Sequence, residues 1–376
     1  MWRREITDWL EIGLLSSCTS DAGESVMRTS LQWLAAAALG LIGSIHGAAA
    51  QETVPATSGG TTISVGGGGQ FLTLPDIRFT GKGSQGSFHR QDDADFSDYG
   101  GSVGGLIEAP LGFWGGYRVT GSVKGFFSDI NADDRVGCQN GCVIVDPTGS
   151  AIATGDTLRT KTSRDVGYWG GMVETKFWQG NAVQVRPNLY RNDYFIVGAD
   201  IRGIDQDNTL HGRAFDGLNV FRLKESIDTT YYGGYIGFGG EYSLGFLGTG
   251  GLMDRLGIRT FISGRAGLYE ATTDYDANFA YLFVPFSSKL SKSNDDLAFI
   301  GTLSFEARKD LGPHTSIGLY TDYEYISSVP KIKYADFGGT TRIEDEGAFA
   351  SRTMLRFNYS WGGEPGPAPI YGETLK

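Results

Sequence analysis

The stretch Phe349–Trp361, FASRTMLRFNYSW, decides how the rest of the chain is interpreted. Taken at every second residue, one face runs from Phe349 to Trp361 and is aromatic or apolar except at Ser351 and Thr353, while the other carries Arg352 and Arg356. A period of two predicts a β-strand. An aromatic face turned to lipid, with arginines turned to a lumen, is the pattern of a membrane-spanning barrel. We therefore predict that this is the strand that closes a transmembrane β-barrel.

The N-terminal part of the sequence contains a predicted export signal. Residues 27–50 combine the basic Arg28, an apolar run and the small-residue end Ala48–Ala50, which predicts a signal peptide cleaved near Ala50 in the Sec pathway. Residues 1–26 contain acids that are unusual ahead of such a signal, so we expect translation to start at Met27. A lipoprotein cleavage site at Cys18 is the alternative, but no clean apolar run precedes it.

Composition narrows the class of protein. The net charge of −11 argues against a nucleic-acid partner. The 57 glycines, 22 Phe, 18 Tyr and 7 Trp fit curved sheets in which a missing side chain makes room for a neighbouring ring. After the signal peptide the sequence has no apolar run of about 18 residues, so we predict no membrane helix.

Ten strand-like stretches follow the lead-in at residues 51–60. They are predicted at 61–75, 99–110, 115–127, 165–178, 182–199, 229–247, 256–273, 296–310, 315–328 and 348–361. Short connections alternate strictly with long, acidic ones, which is typical of an outer-membrane barrel with periplasmic turns and extracellular loops. We predict an all-β, antiparallel up-and-down barrel over residues 61–361 and a flexible periplasmic tail at 362–376. The count becomes twelve if the loop 128–164 forms a hairpin of its own.

The alternation also assigns charged residues to the lumen. Their side chains must pair there, because removing an unpaired ion from water costs on the order of several kcal/mol. The predicted lumen charges are Glu108, Arg118, Lys124, Glu174, Lys176, Arg186, Glu241, Arg259, Arg265, Glu306, Arg308, Asp322, Glu324, Arg352 and Arg356. We expect Arg352 and Arg356 to pair with Asp322 and Glu324.

Two cysteines follow the signal peptide, Cys138 and Cys142. Export into an oxidising compartment favours a disulfide that staples a short surface turn, with free thiols as the alternative. A metal site would need further ligands, and the neighbourhood offers only aspartates and no histidine. We expect no metal and no cofactor.

The chain resembles Gram-negative outer-membrane β-barrel proteins of the porin-like or surface-antigen type. The resemblance rests on the signal peptide, the alternating strands, the asymmetric loops and the closing strand, whose Phe357, Tyr359 and Trp361 resemble the assembly signal of these proteins. It implies the lipid of the bacterial outer membrane and the barrel-assembly machinery as partners. In that class the signal usually ends the chain, whereas here a tail of 15 residues follows it.

Two functions fit this pattern. A barrel of about ten strands is nearly filled by its own side chains, which favours an occluded lumen and a structural or surface-interaction role with a surface ligand. The excess of Arg and Lys in the lumen favours instead a narrow channel for small anionic solutes. We expect no enzymatic activity. A protease is a minor alternative, with His89 beside Asp92 and Asp93, or His211 beside Asp216, as candidates.

Overall fold

The computed structural model describes residues 60–75, 97–145, 148, 151–179, 183–186, 189–213, 219–243, 258–281, 287–333 and 341–362. The strands are β1 (Thr61–Thr73), β2 (Ser97–Trp114), β3 (Tyr117–Val145), β4 (Ala151–Trp178), β5 (Val183–Arg186), β6 (Leu189–Arg213), β7 (Asn219–Ser243), β8 (Ile258–Tyr281), β9 (Ser287–Asp310), β10 (Thr315–Lys333) and β11 (Arg342–Trp361). Within these ranges no helix is long and apolar enough to cross a membrane.

Ten of these strands form a closed ring. Each pairs antiparallel with its neighbour in sequence, β4 pairs directly with β6, and β1 pairs with β11 from Thr61↔Trp361 to Thr73↔Phe349. The eleventh, β5, is a four-residue strand that pairs only with β6. The predicted all-β, ten-stranded up-and-down barrel and its closing strand are therefore confirmed. The alternative of twelve is wrong, because the extra hairpin continues β3 and β4 instead of adding strands to the ring.

The periplasmic turns differ in detail from the prediction. The connection between β2 and β3 is the pair Gly115–Gly116, both with positive φ (57° and 85°), as a two-residue hairpin requires. The predicted turn at 111–114 is wrong, since β2 continues to Trp114 past a register shift near Pro110. The predicted turn at 179–181 leads into β5, which folds back on the start of β6. The turn at 311–314 lies where it was predicted, between β9 and β10.

The strands extend far beyond the predicted boundaries on the extracellular side. β3 and β4 contain 29 and 28 residues and stay paired as far as Val145↔Ala151, so the predicted long loop at 128–164 is mostly strand. The same holds for most of 200–228 and 274–295. Pairing satisfies backbone groups that a polar loop would leave to solvent, and most aspartates of these segments alternate onto an exposed face. About 9–11 tilted residues suffice to cross a membrane, so these strands project well above it.

The outer surface carries an apolar band. Leu355 and Phe357 are 58% and 47% exposed there, whereas Arg352, on the other face of the same strand, is 6% exposed. On β7 the band includes Ile236 and Phe238, which are 56% and 68% exposed. Above it, outward-facing aspartates follow one another across six neighbouring strands. These are Asp133, Asp165, Asp205, Asp207, Asp228, Asp274 and Asp295. The band and its acidic upper border have the character of a lipid-facing surface.

Candidate functional site: the barrel lumen

The lumen is crossed at mid-height by contacts between opposite walls. Strands β4 and β10 stand five places apart in the ring of ten, so they face each other across its full diameter. The hydroxyl of Tyr168 on β4 nevertheless donates a hydrogen bond to Glu324 on β10, and both side chains are buried. The space between the two walls is therefore filled at this level.

Arg202 on β6 completes this crossing. It donates to Glu324 from Nη1, and its Nη2 lies 2.6 Å from Oδ2 of Asp200. Glu324 also accepts a hydrogen bond from Thr302 at 3.2 Å, so one carboxylate has donors from three strands. We call Tyr168, Arg202, Thr302 and Glu324 the cross-lumen cluster. A buried charge is tolerated only with such complete pairing.

A second crossing lies beside the first. Arg352 on β11 donates to Asp322 on β10 at 2.5 Å. Its guanidinium also lies 3.7 Å from the ring centroid of Phe126 on β3, three places away around the ring. The structure thus brings together the expected pair Arg352 and Asp322. It does not bring Arg356 to Glu324; the nearest carboxylate oxygen to Arg356 in the salt bridges belongs to Glu306, at 3.9 Å.

Above these crossings the interior is an apolar core. Buried side chains from the walls meet there, and Tyr231 donates a hydrogen bond across the interior to the backbone carbonyl of Ser328 at 2.9 Å. Other members of this core are Leu72, Ile130, Val166, Ile204, Tyr269, Ala298, Ile300, Ile326, Val329, Ala348 and Ala350. The outer half of the lumen is therefore packed like a protein interior.

Below the crossings, Glu174 gathers cations from both sides. Its carboxylate lies 2.8 Å from Lys124, 3.3 Å from Arg265 and 3.8 Å from Lys176. The hydroxyl of Tyr235 donates to it at 3.2 Å. Glu174 is 1% exposed, so the charged region is buried at this level.

Nearest the periplasm the side chains of the ion pairs are more exposed. Lys176 lies 2.5 Å from Glu108, and Arg308 lies 2.9 Å from Glu306. Arg259 lies 3.5 Å from Glu241 and 2.6 Å from the exposed Asp310. These pairs sit at the mouth of the lumen, where water screens them.

Arg186 lies on the short β5, which pairs with β6 beyond the end of β4; its side chain is not among those described, so its place in the lumen stays a prediction. Three described residues, Trp178, Asp200 and Arg202, lie elsewhere than the sequence indicated. Trp178 lies at the end of a predicted strand, where aromatic residues are expected to form an outward-facing girdle. It is instead 6% exposed and donates a hydrogen bond to Thr120 in the lumen at 3.1 Å. Arg202 and Asp200 are lumen residues that sequence reasoning placed in a loop. The even-numbered alternation of β6 continues through both, and that signal could have found them.

The closing strand presents its predicted assembly residues outward. Phe357, Tyr359 and Trp361 are 47%, 47% and 41% exposed at the periplasmic end of β11. The rings of Tyr359 and Trp361 stack at 6.2 Å. This placement makes them available to lipid or to an assembly partner.

Other predicted sites are tested less. Cys138 and Cys142 lie in β3, with a register shift between Gln139 and Cys142, so the turn that a disulfide was to staple is strand. Their side chains are not among those described, and the disulfide stays a prediction. His89, Asp92, Asp93 and Asp216 are outside the described residues, and His211 lies in β6 opposite Lys161. In the described part of the chain no group of three or more His, Cys, Asp or Glu is placed to hold a metal.

No protein-family model and no curated protein matches the sequence. Several solved structures match the chain at low similarity. The outer membrane protease OmpT from Escherichia coli matches at 8% identity and TM-score 0.45, covering 82% of this chain and 99% of its own. A Pseudomonas aeruginosa FadL homologue matches at 10% identity and TM-score 0.23, covering 81% and 91%. An anion-selective porin from Comamonas acidovorans matches at 9% identity and TM-score 0.15, covering 80% and 98%. Scores this low carry no argument about activity or ligand.

The class of the protein follows from its own surfaces. A closed ring of ten strands, an apolar outer band with an acidic upper border and a charged interior define an outer-membrane β-barrel.

Proposed function

We propose that this barrel has an occluded lumen and acts as a structural or surface-interaction protein of the outer membrane. The observation that carries the proposal is the bond between Tyr168 and Glu324, which joins walls on opposite sides of the ring. Arg202, Arg352 and Phe126 fill the same level. Ten strands leave little lumen to fill, and the apolar core above closes what remains.

The extended hairpins support the surface role. β3, β4 and β6–β8 rise well above the apolar band and present polar outer faces, for example Lys161 against Asp133 at 3.2 Å. Such a projection offers a broad sheet to a partner outside the cell. Export by the predicted signal peptide, with cleavage near Ala50, would deliver the chain to this location, and Phe357, Tyr359 and Trp361 would guide insertion by the barrel-assembly machinery.

Planar-bilayer conductance of the purified, refolded protein tests the proposal. We expect no steady single-channel steps across a range of salts and voltages. The double variant Tyr168→Ala/Glu324→Ala removes both ends of the bond across the lumen and should still be silent, because the apolar core above it remains packed. Steady steps in the unaltered protein, with an anion preference that falls in Arg352→Ala, would replace our proposal with the narrow anion channel.

A further inference from the structure

The charged side chains of the lumen differ in exposure along its length. Lys124, Glu108 and Arg259 retain 19%, 22% and 27% of their side-chain exposure, against 3% for Arg202 and 7% for Arg352 at the crossings. We infer that the lower lumen is open to the periplasm as far as Lys124 and is closed above it by the buried Arg265 and Glu174, with exposures of 6% and 1%. We call this space the periplasmic vestibule, lined by Leu106, Lys124, Arg118, Arg308 and Arg356 together with Glu108.

Arginines of the vestibule are held on aromatic rings. The guanidinium of Arg356 lies 3.3 Å from the ring centroid of Tyr320, and that of Arg118 lies 4.8 Å from Trp178. Arg308 stacks over Phe261 at 4.7 Å. Stacking fixes the plane of a guanidinium and leaves its N–H edge available for a planar oxyanion.

Two of these cations lack a close carboxylate. Among the described residues, no acid lies within 4.0 Å of the Arg118 guanidinium, and the salt bridge of Arg356 to Glu306 is long, at 3.9 Å. Gly66 shapes the second position, since a Cβ there would lie 2.8 Å from Cγ of Arg356. Gly66 therefore leaves room on the barrel wall for the Arg356 side chain.

We propose that the periplasmic vestibule binds small oxyanions, carboxylates or phosphates, from the periplasmic side without passing them across the membrane. Arg118 and Arg356 supply the principal contacts, and their stacking rings orient them. This site goes beyond the proposed structural or surface role, because it needs an open periplasmic mouth and not a surface partner.

Charged thiol reagents test the site on the full chain, in a background with all three cysteines replaced by serine. Leu106→Cys places a thiol in the vestibule, opposite Lys124 in the ladder. Ala350→Cys places one at the crossings, opposite Glu324 in the ladder, where Ala350 is 2% exposed. We expect Leu106→Cys to react with methanethiosulfonates and Ala350→Cys to be inert. The rate with the anionic ethylsulfonate reagent, divided by that with the cationic ethylammonium reagent, should exceed the same ratio for a free thiol.

Removing charge should abolish this preference. Arg118→Gln and Arg356→Gln should each lower the ratio by roughly fivefold, the size expected for one unit charge about 7 Å away in water. The matched controls Arg118→Lys and Arg356→Lys should retain it, which separates charge from misfolding. Phosphate and succinate, added separately, should slow labelling of Leu106→Cys, and the more effective one identifies the ligand class.

An unreactive Leu106→Cys, a ratio no higher than that of a free thiol, or labelling unaffected by both anions would overturn the inference. Failure of the occluded-lumen proposal gives a different result, namely conductance of the unaltered protein and labelling of Ala350→Cys.

Discussion

The mid-height crossings and the periplasmic half of the lumen contain the same charged residue types but differ in how these are paired. At the crossings, Arg202 and Glu324 are buried, and each charge has several partners drawn from different walls. In the periplasmic half, Arg259 and Glu241 face water and their separation is 3.5 Å. Pairing must be complete where water is absent, and can be loose where water remains. Burial, more than residue type, therefore decides which ion pairs stabilise the barrel.

The largest expected effect is a difference in the free energy of unfolding between a variant at the crossings and one in the periplasmic half. Arg202→Leu leaves Asp200 and Glu324 buried without their cation, so it should lower the free energy of unfolding by about 3–5 kcal/mol. Arg259→Leu is the matched control in the periplasmic half and should cost about 1 kcal/mol or less. Urea unfolding in lipid vesicles measures both. Equal losses in the two variants would remove the distinction between the halves.

The height of the outer band can be tested on one strand. Leu303 and Leu297 both face outward on β9, but Leu297 lies beside the acidic border and pairs with Glu270. Leu303→Arg should cost about 2–4 kcal/mol and Leu297→Arg about 0–1 kcal/mol, because arginine is costly only at mid-membrane depth. The same unfolding assay applies. If both substitutions are harmless, the lipid-facing surface has been assigned to the wrong side of the strand.

The single hydroxyl that spans the lumen offers a finer comparison. Tyr168→Phe keeps the ring against Phe126, whose centroid is 5.0 Å away, and removes only the bond to Glu324. We expect a loss of about 1–3 kcal/mol for this buried bond. Tyr242→Phe removes a hydroxyl-to-carboxylate bond of 3.2 Å to Asp193 at the periplasmic rim and should cost less. A larger loss at the rim would contradict the account.

The smallest effect concerns the acidic border above the membrane band. Burial and the neighbouring Asp205 and Asp207 raise the pKa of Asp228 above its usual 3.8. A carboxyl with a raised pKa in the folded state binds its proton more tightly there, so stability rises as the pH falls through that pKa. Asp228→Asn should flatten this dependence and add a few tenths of a kcal/mol, up to about 1 kcal/mol, at neutral pH. Unfolding curves over a pH series would show it. An unchanged pH dependence would count against the carboxyl cluster.

Sequence alternation predicted the faces of the strands well. Because side chains alternate between the two faces of a strand, a shift of one residue would exchange the lipid-facing and lumen-facing sets. On β9 and β11 only one of the two faces is apolar, so the sequence assigned that face to lipid without ambiguity. It could not predict how far the strands extend, because polar hairpins above a membrane have the composition of loops. Arg202 was missed for that reason.

The sequence also did not predict which charged side chains pair across the strands. Arg352 lies directly opposite Asp322, whereas Arg356 lies opposite Gly318. A Cβ at Gly318 would lie 2.9 Å from Oε1 of Glu306, so this glycine lets Glu306 on β9 approach from beyond the neighbouring strand. Only the register and the glycine together explain why Arg356 turns to Glu306 and not to Glu324.

The position of ordered water in the lumen tests the central claim most directly. A crystal structure fine enough to show water should contain it from the periplasmic mouth up to Lys124 and Arg356. It should contain none between Glu324 and the apolar core around Ile300 and Ile326. A continuous file of water past Tyr168 and Glu324 to the extracellular side would contradict the occluded lumen.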